Sequence, residues 1–179
     1  LSTPPGWAYL KVSEGCSRQC AFCSIPSIKG PYRSRTASSI LAEARSLEAR
    51  GVREIVLVSQ DTTAFGRDRG RPDGLARLLA ELLKGTEIPW IRFLYGYPEE
   101  ITDALLEAMT DSRICPYLDI PFQHASPAVL RRMKRASSAT RILRLLERIR
   151  KRLPEAAIRT SLIVGFPGEG PDEFKRLEE

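Results

Sequence analysis

The sequence predicts an α/β fold built on a parallel sheet, and two observations carry that expectation. Short runs rich in β-branched and aromatic residues recur at wide spacing, at Tyr9 to Ser13, Glu54 to Gln60, Trp90 to Tyr95, Tyr117 to Gln123 and Ile158 to Gly165. Each run is separated from the next by a stretch with helical periodicity, and strands that alternate with helices pair in parallel. A barrel, a partial barrel and a doubly wound sheet all share this alternation, so periodicity leaves the choice among them open.

The helices follow in order. Ile40, Leu41, Ala44 and Leu47 share one face after the capping candidates Ser38 and Ser39, and Gly51 ends that helix. Asp73 is expected to cap a second helix carrying Leu75, Leu78, Leu79 and Leu82. Thr102 opens a third, with Leu105, Leu106 and Met109, and Ser126-Pro127 has the N-cap and first-turn proline of a fourth. Ala139 to Leu153 is the longest, turning Ile142, Leu145, Leu146 and Ile149 inward, and a last helix begins near Asp172 and runs to Glu179. Gly66 to Gly74 is a polar loop rich in Gly and Arg.

With 179 residues the chain has about the length of one domain and can bury a core without covalent staples. Its apolar stretches fall far short of the ~20 residues of a membrane span, so no membrane partner is expected. Four cysteines are too few for a disulfide scaffold. The chain opens on Leu1 without a signal-peptide pattern and its last helix has no terminator, so a fragment of a longer chain is expected. Lys and Arg outnumber Asp and Glu 28 to 22, and between Arg131 and Arg152 Glu147 is the only acid. Such a basic face permits binding to RNA or a ribosome, and a solvated helix face explains it equally well.

Chemistry concentrates at Cys16-Ser17-Arg18-Gln19-Cys20-Ala21-Phe22-Cys23, directly after the first strand. The C-terminal end of a strand is where α/β proteins place their sites. Three soft ligands this close suit an iron-sulfur cluster or a zinc ion. A structural zinc needs a fourth ligand, for which only Cys115 and His124 remain, each about a hundred residues away. Cys115, before Pro116, reads as a small buried hydrophobe. A four-iron four-sulfur cluster on three cysteines would keep one iron free of protein ligands, and an open metal position suits substrate binding.

The C-x3-C-x2-C spacing with Phe22 before the last cysteine resembles the signature of radical S-adenosylmethionine enzymes. Further blocks match, namely Ser59 to Gly66, Arg92 to Pro98, Tyr117 to Ser126, Met133-Lys134-Arg135 and Ile163 to Glu169. Together they resemble the methylthiotransferase family across essentially the whole chain. Within it, Ser59-Gln60-Asp61 and Gln123-His124-Ala125 resemble the branch that modifies an aspartate of small-subunit ribosomal protein number twelve. The branch acting on tRNA adenosine is the alternative.

The resemblance implies a partial (β/α) TIM-like barrel of the radical SAM type, truncated before its last strand. Residues 1–179 would be that core domain, without the family's N-terminal domain for a second cluster and its C-terminal RNA-binding-type β-barrel. It implies one four-iron four-sulfur cluster on Cys16, Cys20 and Cys23, with S-adenosylmethionine chelated at the open iron. An electron from the cluster would break a sulfur-carbon bond of that cofactor, and the resulting 5′-deoxyadenosyl radical would take hydrogen from the substrate. The cofactor does the hard chemistry, so no side chain is assigned a catalytic role.

Phe22 would pack against the adenine edge, and Gln60, Gln123 and His124 at strand ends would reach ribose or substrate. Arg159 and Ser161 alternate onto one face of the fifth strand, where Arg159 would meet either the methionyl carboxylate or a structural acid. Gly165, in Gly165-Phe166-Pro167-Gly168-Glu169, would let backbone approach the ligand. The implied partners are the ribosomal protein or ribosome and an electron donor protein, in the cytoplasm. A different class, an Arg-rich RNA or ribosome adaptor with a structural metal, would hold one zinc or nothing.

Overall fold

The structure, a computed structural model, describes residues 3–179. Its strands are β1 (Trp7–Lys11), β2 (Ser13–Glu14), β3 (Arg33–Ser34), β4 (Glu54–Val58), β5 (Trp90–Phe93), β6 (Tyr117–Asp119) and β7 (Ala157–Arg159). Its helices are α1 (Ile25–Lys29), α2 (Ala37–Ala49), α3 (Gly74–Gly85), α4 (Asp103–Ala108), α5 (Pro127–Arg132), α6 (Ala139–Arg152) and α7 (Pro171–Glu178).

β1, β4 and β5 pair in parallel, with Ala8 opposite Ile55 and Ile55 opposite Ile91. β6 and β7 pair the same way, Leu118 opposite Ile158. The two groups are stitched where Ile91 N–H donates to Arg113 O (2.8 Å), Cys115 N–H to Ile91 O (2.9 Å) and Gly96 N–H to Asp119 O (2.8 Å). Each of these strands therefore lies beside the next in chain order, all in one direction. A doubly wound sheet reverses its strand order at a switch point and a barrel does not, so the winding is that of a partial barrel.

The core lies between the convex face of this sheet and its helices. Ala8, Leu10, Ile55, Leu57, Ile91, Phe93, Leu118 and Ile120 pack in one cluster with Ile40, Ala44 and Leu47 of α2, Leu75, Leu78, Leu79 and Leu82 of α3, and Ile142, Leu145 and Ile149 of α6. The spacing of two along strands and of three or four along helices puts these side chains on facing surfaces. The opposite, concave face is more polar: Arg92 Nε meets Glu54 Oε1 at 2.7 Å and its guanidinium lies 4.9 Å from the Tyr117 ring centre. Among the described residues no helix is long and apolar enough to cross a membrane.

Several local expectations need correction. β4 to β7 are shorter than their apolar runs, whose C-terminal parts leave the ladder to build the loops of the site, while β1 keeps five residues but begins two earlier, at Trp7. Thr36, not Ser38 or Ser39, caps α2, its Oγ1 accepting from Ser39 N–H at 3.2 Å. Asp73 occupies the N-cap position of α3 with φ 56°, but its carboxylate accepts from Thr102 Oγ1 (2.8 Å) instead of the helix N–H groups. Leu146 of α6, by contrast, packs against the core as expected, though it is half-buried. The pair β2–β3 and helix α1 were not anticipated, since two-residue strands carry no periodicity.

Candidate functional site

The three clustered cysteines sit in a loop that is clasped at its base. After β1, β2 pairs antiparallel with β3, Ser13 opposite Ser34, so residues 15–32 form a closed excursion from the sheet's C-terminal end. Gly15 enters it with φ 74°, where an added Cβ would lie 2.3 Å from Pro31 O. Only glycine tolerates both that backbone and that approach. Cys16 N–H then donates to Gly30 O (3.1 Å), Tyr32 N–H to Ser17 Oγ (3.1 Å), and Ala21 N–H to Met133 O (3.0 Å) at the end of α5.

Cys16, Cys20 and Cys23 are free thiols lining one cavity of about 150 Å³, together with Phe22, Gln60 and Gln123. Arg18, Asp61, Tyr95, Tyr97 and Arg135 line it too. Gln60 is aimed there by its neighbours. Ser59 Oγ accepts from Asp61 N–H (3.1 Å), and Asp61 caps the following turn by accepting from Ala64 N–H (3.1 Å), which leaves Gln60 facing the cavity. Gln123 has φ 73° and is held in register by Ser161 O, which accepts its N–H at 3.0 Å.

The other expected residues do not reach this cavity. His124 is fully buried, with Nδ1 accepting from Ser126 N–H (2.9 Å) and Nε2 3.2 Å from Glu169 Oε1. Arg159 has a side chain 58% exposed, and its Nη1 lies 3.4 Å from Asp119 Oδ1, so its nearest anion is a protein carboxylate. Ser161 is exposed and contributes its carbonyl. Gly165 has φ 72° with open space where a Cβ would stand, and it does not line this cavity. Cys115 is half-buried beside Ile91 at the N-terminal end of the sheet, away from the other thiols.

Five of these cavity residues, Arg18, Asp61, Tyr95, Tyr97 and Arg135, stand inside the motif blocks with no role expected from the sequence. Arg18 donates through Nε to Asp61 Oδ2 (2.9 Å) and through Nη2 to Glu100 Oε1 (2.7 Å). Tyr97 lies between two guanidinium groups, that of Arg18 at 3.8 Å and that of Arg135 at 4.1 Å from its ring centre. Their position inside the motif blocks was the signal available.

The donor set fits a cluster better than one ion. A multi-iron cluster takes one thiolate at each of several separated corners, and these three thiols line one cavity. A zinc site would need Cys115 or His124, and neither lies here. Two sulfurs already have N–H neighbours, Arg18 N–H at 3.4 Å from Cys16 Sγ and Arg135 Nη1 at 3.7 Å from Cys20 Sγ. Burial pushes the Cys16 thiol up, and Asp61 and Cys20 add to this against the Arg18 N–H. Metal binding must therefore displace a proton there.

A partial parallel barrel with three cysteines at its C-terminal mouth defines the class. Residues 10–179 match the radical SAM superfamily, and the chain belongs to it. It is 48% identical over its whole length to the ribosomal protein uS12 methylthiotransferase RimO of Alkaliphilus oremlandii, of which it covers 41%. It is 51% identical over 96% of its length to the RimO of Moorella thermoacetica, covering 40%. The chain thus spans about two fifths of these relatives. Among solved structures, the radical SAM methyltransferase TsrM of Kitasatospora setae, with cobalamin and a [4Fe-4S] cluster bound, superposes with a TM-score of 0.76 at 17% identity over 96% of this chain and 33% of that one. The cobalamin-dependent radical enzyme OxsB follows at 0.69, with 15% identity over 94% of this chain and 25% of its own. At such identities these two establish the fold alone.

Proposed function

We propose that the chain is the core of a radical S-adenosylmethionine methylthiotransferase that adds a methylthio group to the β-carbon of an aspartate of small-subunit ribosomal protein number twelve. The observation that carries this reading is the convergence of Cys16, Cys20 and Cys23 with Gln60 and Gln123 in one cavity at the barrel mouth. The names of the similar relatives support the ribosomal protein, rather than tRNA, as substrate. In this reading one four-iron four-sulfur cluster sits on the three thiols, and a second belongs to an N-terminal domain of the whole protein.

Held by Cys16, Cys20 and Cys23, a cluster would supply one electron for the cleavage of S-adenosylmethionine. The chain's own residues position. The Gln60 and Gln123 amides offer donors and acceptors to ribose or substrate, and half-exposed Phe22 offers an apolar face for adenine. Asp61 and Glu100 fix Arg18, which with Tyr97 forms a rigid wall of the cavity. The electron comes from a donor protein, and the site of action is the cytoplasm, where ribosomes are modified.

Anaerobic reconstitution with iron and sulfide tests the reading. Four irons per chain are expected, lost in Cys16→Ala, Cys20→Ala and Cys23→Ala and retained in Cys115→Ala. Retention of one zinc instead would favour the adaptor class. Incubation of the full-length parent with the ribosomal protein and with tRNA, read by mass spectrometry, is expected to modify only the protein. This chain alone is expected to cleave S-adenosylmethionine slowly and to give no methylthiolated product.

A further inference from the structure

Met133-Lys134-Arg135 begins 110 residues after Cys23, yet touches the cysteine loop. Helix α5 closes with Lys134 at φ 54°, Lys134 N–H donating to Arg131 O (3.0 Å) and Arg135 N–H to Leu130 O (2.9 Å). These two bonds form a left-handed helix cap of the Schellman type. The turn presents Met133 O to Ala21 N–H and sends the Arg135 side chain into the cavity.

Arg135 is 8% exposed. Its Nη2 donates to Pro121 O (2.9 Å), its Nη1 stands 3.7 Å from Cys20 Sγ, and its plane lies over Tyr97. Its buried Nε has no hydrogen-bond partner, and among the described residues no carboxylate pairs with this guanidinium. Arg18, on the other face of Tyr97, is by contrast paired with both Asp61 and Glu100. A buried guanidinium without an anion is costly, so its environment implies one. Among the described residues in contact with it, burial pushes the Tyr97 phenol up and so keeps it neutral, which leaves the Cys20 sulfur, as a thiolate, to supply that anion.

We infer that Arg135 is the counter-cation of the cysteine-bound cluster, acting through Cys20 to favour the cluster's reduced form. The inference rests on the iron-sulfur reading above. Thiolate ligands make the assembly anionic, and one electron from an external reductant makes it more so without transfer of any atom. A fixed cation and an N–H···S bond stabilise the more negative state and raise the potential. Arg135 is a positioning residue in this account, since it touches the ligand sulfur and not the reacting atoms.

The test compares the anaerobically reconstituted chain with Arg135→Gln and Arg135→Lys, reading iron and sulfide content and the midpoint potential in a dithionite titration followed by electron paramagnetic resonance. Arg135→Gln is expected to keep its iron while its reduction equilibrium falls at least tenfold, a shift of about 59 mV for one electron, with Arg135→Lys between it and the parent. Loss of iron from the Gln variant alone, with Lys retaining it, also supports a charge role. An unchanged potential in fully loaded Arg135→Gln overturns the inference, as does equal loss of iron from both variants. A parent chain that loads no cluster instead overturns the reading beneath it.

Discussion

The imidazole of His124 and the carboxylate of Glu169 lie 3.2 Å apart with side chains 0% and 4% exposed, joining the loop after β6 to the turn that precedes α7. Nδ1 of His124 accepts from Ser126 N–H, so in the neutral ring the proton resides on Nε2, facing Glu169. Both residues belong to motif blocks, and what they share is a structural tie at the cavity's margin.

This tie carries a pH dependence. Burial pushes the Glu169 carboxyl up, but hydrogen bonds from Phe166 N–H, His124 and Gly165 N–H outweigh it and hold the group below its ordinary 4.5. A depressed carboxyl stabilises the fold fully above its unfolded value and loses that contribution as pH falls through its folded value. The melting temperature of the parent is expected to fall more steeply than that of Glu169→Gln between about pH 5 and pH 3. Parallel curves would remove Glu169 from the account of acid stability.

Lys134 occupies a left-handed position that a glycine would hold without strain. Lys134→Gly is expected to stabilise by about 0.5–1 kcal/mol, raising Tm by about 1–4 °C for a chain of this size. Calorimetry checks it, and iron loading is expected to stay unchanged because the cap's backbone bonds survive.

Gly15 carries the opposite expectation. A methyl group there would meet Pro31 O at 2.3 Å and Gly30 O at 2.6 Å, both backbone atoms, at φ 74°. Gly15→Ala is expected to cost about 2–5 kcal/mol and to displace Cys16, so that iron retained per folded chain falls. Parent-like iron content would show that the loop tolerates a shifted stem.

Arg18 bridges Asp61 and Glu100, whose side chains are only 4% and 10% exposed. Glu100 keeps Arg67 as a partner, and Asp61 keeps the Thr63 hydroxyl and Ala64 N–H. Arg18→Ala is therefore expected to cost about 2–3 kcal/mol, less than full isolation of two buried acids. Chemical denaturation measures it, and Asp61→Asn in the Arg18→Ala background is expected to recover part of the loss.

The sequence by itself determined what depends on near neighbours. Alternating strands and helices were legible because side-chain periodicity is local, and the Gly51 stop was legible because a left-handed helix end favours glycine: Gly51 has φ 81°, with its N–H bonded to Glu48 O and that of Val52 to Leu47 O. The three cysteines were legible because eight consecutive residues hold them all. Only the tertiary structure decided which polar residues at the strand ends enter the cavity. Gln60 and Gln123 do, while His124 turns to Glu169 and Arg159 to Asp119. Their directions depend on positive φ angles and on turns pinned by distant partners, such as Tyr97 N–H on Thr63 Oγ1 at 2.9 Å. The stacking of Tyr97 between Arg18 and Arg135 joins three segments far apart in the chain. No local pattern encodes such a contact, because it exists only after the parallel strands have brought their C-terminal ends to one rim.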